Sequence, residues 1–441
     1  MSLSLSTDLY ELTMVAGYWS AGYVPQATFE LFVRELPPNR AYLVAAGFDQ
    51  VLDYLEQLRF TQADIDYLRG VPALHGVPRD FFDDYLPRFR FTGEVRAVEE
   101  GTPIFPPAPI LTVTAPLPEA QLVETALLTY VGFQTSVASR AARIAHAASG
   151  RAVVEFGARR AHGIEAGVLA ARAAFIGGCV STSNVEAGRR FGIPVSGTMA
   201  HSWVMSFEDE VTAFRQYARL FGEQAVLLLD TYDTVEAARA VVAAGLKPSA
   251  VRLDSGDLIV LSSRVRAILD DGGLHETKVF ASGDLDEWRI DEMVRAGAPV
   301  DGFGVGAALS TISDVPSLGA VYKLVELERR GAAVPVMKRS VGKHTYPGKK
   351  QIWRIFNDGV AKEDVIEQVR DAAEMPPGQP LLTRVMSAGK REHPASSVSD
   401  LRARSRTALA ALPESVRRIH QPEHYKVRFG SALRATMGQF R

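Results

Sequence analysis

The sequence is poor in cysteine: its 441 residues contain one, Cys179. A single thiol excludes an internal disulfide and a thiolate-rich zinc cluster, so we expect no zinc and a protein of the reducing cytoplasm. An excess of one charge is also lacking, because 49 Lys and Arg residues oppose 51 Asp and Glu residues and leave a formal net charge of −2. Without a broad basic surface, the protein is not expected to bind nucleic acid.

Long hydrophobic runs are absent as well. The first residues carry Asp8 and Glu11 where a secretion signal is apolar, so no such signal is expected. The longest uncharged stretch, residues 101–118, holds six prolines, which a membrane-spanning helix does not tolerate. We therefore expect a soluble protein with no membrane partner. The length and the 47% apolar content predict more than one packed unit.

Short β-branched runs, each followed by a longer helical pattern, make up the sequence from about residue 151 onward. This alternation predicts parallel strands covered by helices. Seven such units fit a closed barrel or an open doubly wound sheet, and polar and glycine residues at the carboxyl end of nearly every run favour the barrel. The predicted strands are residues 152–156, 175–180, 193–198, 225–230, 249–254, 278–283 and 300–306.

The predicted fold class is α/β: an irregular βα barrel of mainly parallel strands with a second α+β domain. The second domain is built from the N-terminal region, with the C-terminal segment as a candidate addition. We expect residues 1–125 to form the N-terminal domain, residues 126–335 the barrel, and residues 336–441 a segment that packs on both. That segment begins with basic residues placed to reach a phosphate: Lys338, Lys343 and Lys349.

Glycines near the ends of the last two predicted strands suggest a phosphate site. Gly283, Gly304 and Gly306 allow backbone N–H groups to approach an anion, although such glycines also serve tight turns. Asp254 and Asp284 lie at strand ends too, where carboxylates bind Mg²⁺ or the hydroxyls of a ribose. The neighbouring Asp257 opens a helical run and is better explained as a helix cap, so Asp254 is the preferred candidate.

An aromatic residue and two arginines follow the first barrel strand. Phe156 offers a stacking surface and Arg159 and Arg160 offer anion-binding forks, a combination that suggests an anionic aromatic ligand. Taken singly, such residues are more often core or surface. His201 lies just past another predicted strand, and a lone histidine, too, is more often structural than catalytic.

The motifs at these positions resemble the nicotinate phosphoribosyltransferase family of type II phosphoribosyltransferases. They follow one another in order from residue 6 to about residue 350, which makes coincidence implausible. They are STDLYELTM (6–14), AYLVAAGF (41–48), EFGARRAHG (155–163), STSNVEAGRRFGIPVSGTMAHSWV (181–204), LLLDTYDT (227–234), VRLDSGDL (251–258), VFASGDLDE (279–287) and GFGVGAALST (302–311).

The resemblance implies an ATP-dependent enzyme of NAD salvage. Nicotinate and phosphoribosyl pyrophosphate would give nicotinate mononucleotide and pyrophosphate, with ATP hydrolysis coupled through phosphorylation of His201, and Mg²⁺ would accompany phosphoribosyl pyrophosphate and ATP. Asp230 would orient the histidine ring. The pyridine would lie between Phe156 and Tyr10 of the second subunit of a homodimer with shared active sites.

Other site residues follow from the same resemblance. Arg159 and Arg252 would hold the nicotinate carboxylate or the phosphates, Asp254 the ribose hydroxyls, and Gly283, Gly304 and Gly306, with Asp284 beside them, the 5′-phosphate.

Ser183 bears on the choice of pyridine. Nicotinamide-using relatives have an aspartate there, which would repel a carboxylate, whereas a neutral serine does not. The preceding turn departs from the usual Gly-Thr-Ser-Asn by starting with Ser181. The alternatives are a nicotinamide or quinolinate phosphoribosyltransferase, or a non-catalytic paralogue that binds the same metabolites.

Overall fold

The computed structural model of the protein describes residues 3–338, 345–369 and 376–440. Lys343, one of the three lysines expected to reach a phosphate, lies outside these ranges. Lys349 lies inside them, and its Nζ is 2.9 Å from Glu94 Oε1. No helix in the described ranges is long and apolar enough to span a membrane.

Six short parallel strands form the sheet that carries the strand-end residues. The first strand along the chain, Ala152–Glu155, pairs with the last, Gly302–Val305. This pairing curls the sheet into an irregular, incompletely closed barrel and confirms the predicted fold class. The order across the sheet is Ser181–Thr182, Ala152–Glu155, Gly302–Val305, Lys278–Ala281, Ala250–Leu253 and Val226–Leu228.

Two of the seven predicted strands, residues 175–180 and 193–198, are not strands in the structure. Residues 175–180 were expected to be extended, but residues 175–177 complete the helix Ile164–Gly177, and the strand is Ser181–Thr182. Short apolar runs do not distinguish a buried helix end from a buried strand. The helix runs far enough here to bury Phe175 and Ile176.

The barrel is open on one side. Residues 193–198, predicted as a strand, contribute one bridge in which Val195 pairs with Thr182. Between this bridge and the strand Val226–Leu228, the hydroxyl of Thr198 donates a hydrogen bond to the carbonyl of Val226 at 2.7 Å. A side chain therefore spans the gap that a seventh strand would have filled.

Helices cover the outer face of the parallel sheet, and aspartates begin several of them. Such caps satisfy N–H groups of the first turn that have no partner within the helix. Asp257 is thus a cap, as predicted. Three aspartates accept hydrogen bonds from two such N–H groups: Asp233 before Thr234–Ala243, Asp257 before Leu258–Asp271, and Asp286 before Glu287–Arg295.

A seven-stranded antiparallel sheet forms the second domain. Its order is Ala332–Pro335, Ala320–Arg329, Gln26–Val33, Pro109–Pro116, Glu94–Ala97, Thr383–Ser387 and Lys390–Arg391. The last two strands show that the C-terminal segment does add to the N-terminal domain. The strand Ala320–Arg329 pairs with Gln26–Val33 although it precedes residue 335; the division at residues 125 and 335 stays a prediction.

Two smaller sheets and further helices complete the described structure. One sheet contains Gln379–Pro380, Lys350–Asn357, Val360–Gln368 and Lys426–Phe429, and the other pairs Leu43–Val44 with Pro103–Ile104. The remaining α-helices are Leu9–Ser20, Phe48–Gln57, Gln62–Arg69, Leu86–Arg88, Leu117–Leu122, Glu124–Ala147, Val185–Phe191, His201–Met205, Glu210–Phe221, Ala307–Ser310, Val398–Ala410, Glu414–Arg417 and Ser431–Gly438. Short 3₁₀ turns occupy Pro72–Leu74, Ala158–Arg160 and Gly222–Gln224, and Phe81–Tyr85 is π-helical.

Two long helices of the barrel domain, Glu124–Ala147 and Ile164–Gly177, pack against each other at a glycine. A methyl group added at Gly177 would lie 2.3 Å from the carbonyl oxygen of Ala138 and 2.6 Å from the Cβ of Ala141. Only glycine allows the two backbones to approach this closely.

We predict that Gly177→Ala lowers the free energy of unfolding by about 1–3 kcal/mol, because the helices must move apart. Gly132→Ala is the matched control on the facing helix, where an added methyl group meets nothing within 4 Å; it should stabilise the protein by roughly 0.5–1 kcal/mol. Chemical denaturation measures both. Equal effects of the two substitutions would contradict the close helix contact.

Candidate active site

The carboxyl ends of the parallel strands enclose a cavity of about 290 Å³. Six of the residues predicted from the sequence line it, since parallel strands deliver their carboxyl ends to the same edge of a sheet. The lining residues are Phe156, Ala158, Arg159, Ser183, Gly197, Thr198, Met199, Ala200, His201, Leu228, Arg252 and Asp254.

His201 is the first residue of the short helix His201–Met205. Its Nδ1 lies 3.2 Å from the hydroxyl oxygen of Thr231, and its Nε2 lies 3.8 Å from Asp254 Oδ2. The side chain is 42% exposed. The ring is thus held from one side while its other nitrogen remains reachable from the cavity.

Asp254 lies directly after the strand Ala250–Leu253 and is partly buried. Its Oδ1 accepts hydrogen bonds from Ser282 Oγ at 2.6 Å and from Arg252 Nη2 at 2.7 Å. Burial works against ionisation, but the Ser282 hydroxyl and the Arg252 guanidinium outweigh it, so the pKa of Asp254 lies below its usual value. The carboxylate is therefore ionised at neutral pH.

Arg252 connects this carboxylate to the aromatic wall of the cavity. Its Nε donates to Ser282 Oγ at 2.7 Å, and its guanidinium lies 5.6 Å from the centre of the Phe156 ring. A cation over a ring at this distance is attracted to the π-face. Phe156 and Arg252 thus form one wall that is both aromatic and positive.

Asp230 has a different neighbour from the predicted one. Its Oδ2 accepts hydrogen bonds from the backbone N–H of Asp254 at 3.1 Å and from Ser255 Oγ at 2.5 Å. The polar contact to the ring of His201 is made by Thr231, the next residue. Asp230 therefore holds the Asp254 turn in place.

The glycines of the last parallel strand and the turn after it differ in the space around them. A methyl group at Gly304 would lie 2.5 Å from the Phe156 ring, and one at Gly302 would lie 2.8 Å from the Phe280 ring. Gly304 therefore makes room for the aromatic wall; its role in a phosphate cradle stays a prediction. Gly306, where an added methyl group would come no closer than 3.4 Å to another residue, remains open to a ligand.

Gly283 is required by the backbone. Its φ is +95°, and a methyl group there would lie 1.9 Å from the carbonyl oxygen of Asp254. The next residue, Asp284, also has a positive φ of 47°, which non-glycine residues adopt rarely. These two residues form a tight turn against the Asp254 turn, next to the cavity.

Three comparisons with known proteins bear on this site. Models of the nicotinate phosphoribosyltransferase N-terminal domain, of the family itself and of its C-terminal domain match residues 5–132, 152–374 and 377–437. Nicotinate phosphoribosyltransferase pncB2 of Mycobacterium tuberculosis is 44% identical over 424 residues, 94% of this chain and 89% of the relative. The chain belongs to the nicotinate phosphoribosyltransferase family.

Other members of this family agree in sequence and in structure. The nicotinate phosphoribosyltransferase of Bacillus subtilis is 41% identical over 460 residues, which cover 97% of this chain and 92% of the relative. The crystal structure of human nicotinic acid phosphoribosyltransferase superimposes with a TM-score of 0.85 at 30% identity and covers 99% of this chain and all of its own. The similarity to family members therefore extends over both domains.

Three other predicted site residues make fewer contacts with the residues described above or lie outside the cavity. Arg159 and Ser183 line the cavity and are exposed. Tyr10 lies on the helix Leu9–Ser20, outside the cavity lining, and burial and the nearby Glu124 raise its pKa. One chain by itself thus assembles the site without Tyr10.

Sequence reasoning missed Thr231 and Ser282, which contact His201 and Asp254. Thr231 follows the predicted strand 225–230 and Ser282 lies near the end of the predicted strand 278–283, but hydroxyl residues are common in turns and carry no distinguishing signal. It also missed Glu155, the last residue of the strand Ala152–Glu155, whose side chain is fully buried. The sequence did offer a signal for Glu155, because a charged residue at the end of a buried strand is unusual.

Within the described ranges, no group of three or more His, Cys, Asp or Glu side chains could hold a metal ion. A Mg²⁺ ion that arrives on a phosphorylated substrate needs fewer protein ligands. Asp230 Oδ1 is buried and has no hydrogen-bond partner in the described part of the chain. It fits such an ion chemically.

The lowered pKa of Asp254 predicts a pH-dependent contribution to stability. The folded state favours the ionised form, so the stabilisation is present above the unfolded-state pKa of about 3.9 and is lost as the pH falls through the lower folded-state value. The stability difference between the wild type and Asp254→Asn should therefore shrink as the pH is lowered from 7 to below about 4. Denaturation at several pH values measures this difference, and a constant difference would contradict the assignment.

Proposed function

We propose that the protein forms nicotinate mononucleotide and pyrophosphate from nicotinate and phosphoribosyl pyrophosphate in NAD salvage. ATP hydrolysis is coupled to this reaction through phosphorylation of His201, which makes the enzyme ligase-type. The observation that carries the proposal is that His201, Asp254, Arg252 and Phe156 line one cavity in a chain of this family.

The pyridine occupies the wall made by Phe156 and Arg252. The ring stacks on Phe156, and its carboxylate is held by a guanidinium, that of Arg252 or of Arg159. Ser183 lines the same cavity and carries no charge, so a carboxylate is not repelled there. These contacts favour nicotinate over nicotinamide.

The ribose binds against Asp254. Asp254 Oδ1 is occupied by Ser282 and Arg252, whereas Oδ2 faces His201 across 3.8 Å and can accept from the ribose hydroxyls. As the bond from C1 of the ribose to pyrophosphate breaks, the lone pair of the pyridine nitrogen forms the new bond, and no general base is needed. The positive charge that develops on the ribose is stabilised by the Asp254 carboxylate.

The phosphates extend toward the turns at Gly283, Asp284 and Gly306. The carboxylate oxygens of Asp230 and Asp284 would hold a Mg²⁺ ion, which would neutralise negative charge on the pyrophosphate. Of Arg159 and Arg252, the one that does not hold the nicotinate carboxylate binds a phosphate.

His201 has the geometry of a phosphoryl acceptor. If Nδ1–H donates to Thr231 Oγ1, 3.2 Å away, the lone pair of Nε2 is directed into the cavity and can form a bond to the γ-phosphorus of ATP, with ADP leaving. Water later cleaves the phosphoryl group. The phosphorylated ring places negative charge next to Asp254, so substrate affinity differs between the two states of the enzyme.

A second copy of the chain covers the cavity in this proposal. Large apolar side chains are exposed on the loops and helix starts at the carboxyl ends of the strands, including Ile164, which is 90% exposed, Val185 and Tyr232. The helix Leu9–Ser20 exposes Tyr10 and Met14 one turn apart. A homodimer buries both surfaces and places Tyr10 of the second copy over the pyridine. The single, buried Cys179 agrees with a cytoplasmic location.

The central test is the conversion of labelled nicotinate with phosphoribosyl pyrophosphate, with and without ATP, in the wild type and in His201→Ala. We expect ATP to stimulate the wild type, and the variant to lose ATP hydrolysis while retaining slower synthesis that ATP no longer stimulates. The exposed His75 gives the control His75→Ala, which should remain coupled. Unchanged ATP consumption in His201→Ala would refute the phosphorylation.

The same assay with nicotinamide and quinolinate tests the alternative substrates. Preferred turnover of either would overturn the proposed substrate. Binding of phosphoribosyl pyrophosphate without turnover of any pyridine would favour a non-catalytic paralogue.

Shared active sites predict that two inactive variants complement each other. Tyr10→Ala lacks the residue given to the neighbouring site, and Asp254→Asn lacks a residue of its own site. Co-expressed at equal levels, they should regain roughly one quarter of wild-type activity, because half of the dimers are mixed and each mixed dimer has one intact site. Activity no higher than that of the separate variants would exclude a shared site.

A further inference from the structure

Glu155 is a buried carboxylate next to the aromatic wall of the cavity. It ends the strand Ala152–Glu155, directly before Phe156, and its exposure is 0%. A buried carboxylate without donors is costly, so its contacts show what it holds in place.

The two carboxylate oxygens of Glu155 join two neighbouring turns. Oε1 accepts from the backbone N–H of Gly157, in the turn that carries Phe156, and Oε2 accepts from Thr182 Oγ1 at 2.5 Å. Thr182 Oγ1 in turn accepts from the backbone N–H of Asn184 at 3.0 Å. The backbone carbonyl of Glu155 accepts from the N–H of Ser183 at 2.9 Å.

The turn after Phe156 has no room to adjust. A methyl group at Gly157 would lie 2.7 Å from Ser310 Cβ and 2.8 Å from both Gly306 O and Glu155 Oε1. Burial raises the pKa of Glu155, and the Thr182 and Gly157 donors oppose that rise. N–H and O–H groups are the partners of this carboxylate in the described structure, so it acts by orienting donors.

We propose that Glu155 is a positioning residue for the pyridine. It fixes the turn that carries Phe156 and Arg159 relative to the turn that carries Ser183, and thereby sets the affinity for nicotinate. This inference rests on the proposed function, since it assumes that nicotinate binds between these turns. Asp254 and the phosphate-side turns at Gly283 are held by other donors, so phosphoribosyl pyrophosphate binding should depend on Glu155 much less.

Glu155→Gln tests this role with little change in shape. A glutamine has one acceptor oxygen where the glutamate has two, so either Gly157 or Thr182 loses its acceptor. The loss of a hydrogen bond to a charged group should raise the KM for nicotinate by about tenfold, with the KM for phosphoribosyl pyrophosphate changed by about twofold or less. Steady-state kinetics with each substrate varied in turn measure both values.

Glu100→Gln is the matched control. Glu100 is also a buried glutamate that accepts from backbone N–H groups, those of Gly47 and Phe48, and it pairs with Arg172 at 2.7 Å. Unlike the partners of Glu155, none of these residues is next to a cavity-lining residue in the chain. The substitution should lower the midpoint of thermal unfolding, but it should not raise the KM for nicotinate more than the KM for phosphoribosyl pyrophosphate. If Glu100→Gln raises the KM for nicotinate selectively, as Glu155→Gln is expected to do, general loss of stability is the cause and the inference is wrong.

Thr182 provides a second test if Glu155→Gln does not fold. Thr182→Val removes the hydroxyl at nearly constant volume and should reproduce the rise in the KM for nicotinate, whereas Thr182→Ser keeps the hydroxyl and should restore the wild-type value. If both substitutions give the same KM, the hydroxyl link to Glu155 has no role in binding.

The outcome for the wild type separates this inference from the proposed function. If the wild-type protein does not convert nicotinate, the proposed function fails. If it does, but Glu155→Gln and Thr182→Val leave the KM for nicotinate unchanged, the positioning role fails while the function stands.

Discussion

The carboxylate of Asp254 connects the side chains of neighbouring strand ends, and the geometry of the cavity depends on it. It accepts from Arg252 and Ser282 and faces His201, while its backbone N–H is held by Asp230. Donors of this kind stabilise the ionised form of a partly buried carboxylate. The positions of the imidazole, the guanidinium and the aromatic wall are therefore linked through one charge.

The two sides of the cavity are supported differently. Around Phe156, the Glu155 carboxylate and the space left by Gly304 fix the aromatic wall from within. Around Asp254, the support is backbone against backbone, with Gly283 pressed against the Asp254 turn. Arg159 is exposed, whereas Asp254 is held by hydrogen bonds from its neighbours. The cavity therefore combines a fixed base with an exposed side chain at its edge.

Much of this arrangement was predictable from the sequence, because strand order alone decides which residues meet. Parallel strands place their carboxyl ends together, so His201, Asp254 and Phe156 could be assigned to one cavity without knowledge of any contact. The direction of side chains was not accessible in this way. Nothing in the sequence indicated that the ring of Phe156 lies against Gly304, and residues 175–180 have a composition that suits both helix and strand.

The second set of unpredicted features involves common residue types. Thr231 and Ser282 are ordinary turn residues, and only their distances from His201 and Asp254 give them significance. The expected contact of Tyr10 with the pyridine came from the family resemblance, and in the single chain its helix lies outside the cavity lining. Local sequence patterns therefore specify the scaffold and its charged groups better than the hydroxyls that tune them.

The open side of the barrel has a consequence for the histidine. The segment that leads to His201 makes one bridge at Val195, where a full strand would have a ladder of backbone hydrogen bonds on both sides. Side chains supply the other hydrogen bonds that hold it, including the hydroxyl of Thr198, which donates to the Val226 carbonyl, and that of Ser196, which lies 2.7 Å from the hydroxyl of Ser181. The position of the imidazole is thus set by hydroxyl contacts more than by the pairing of the sheet.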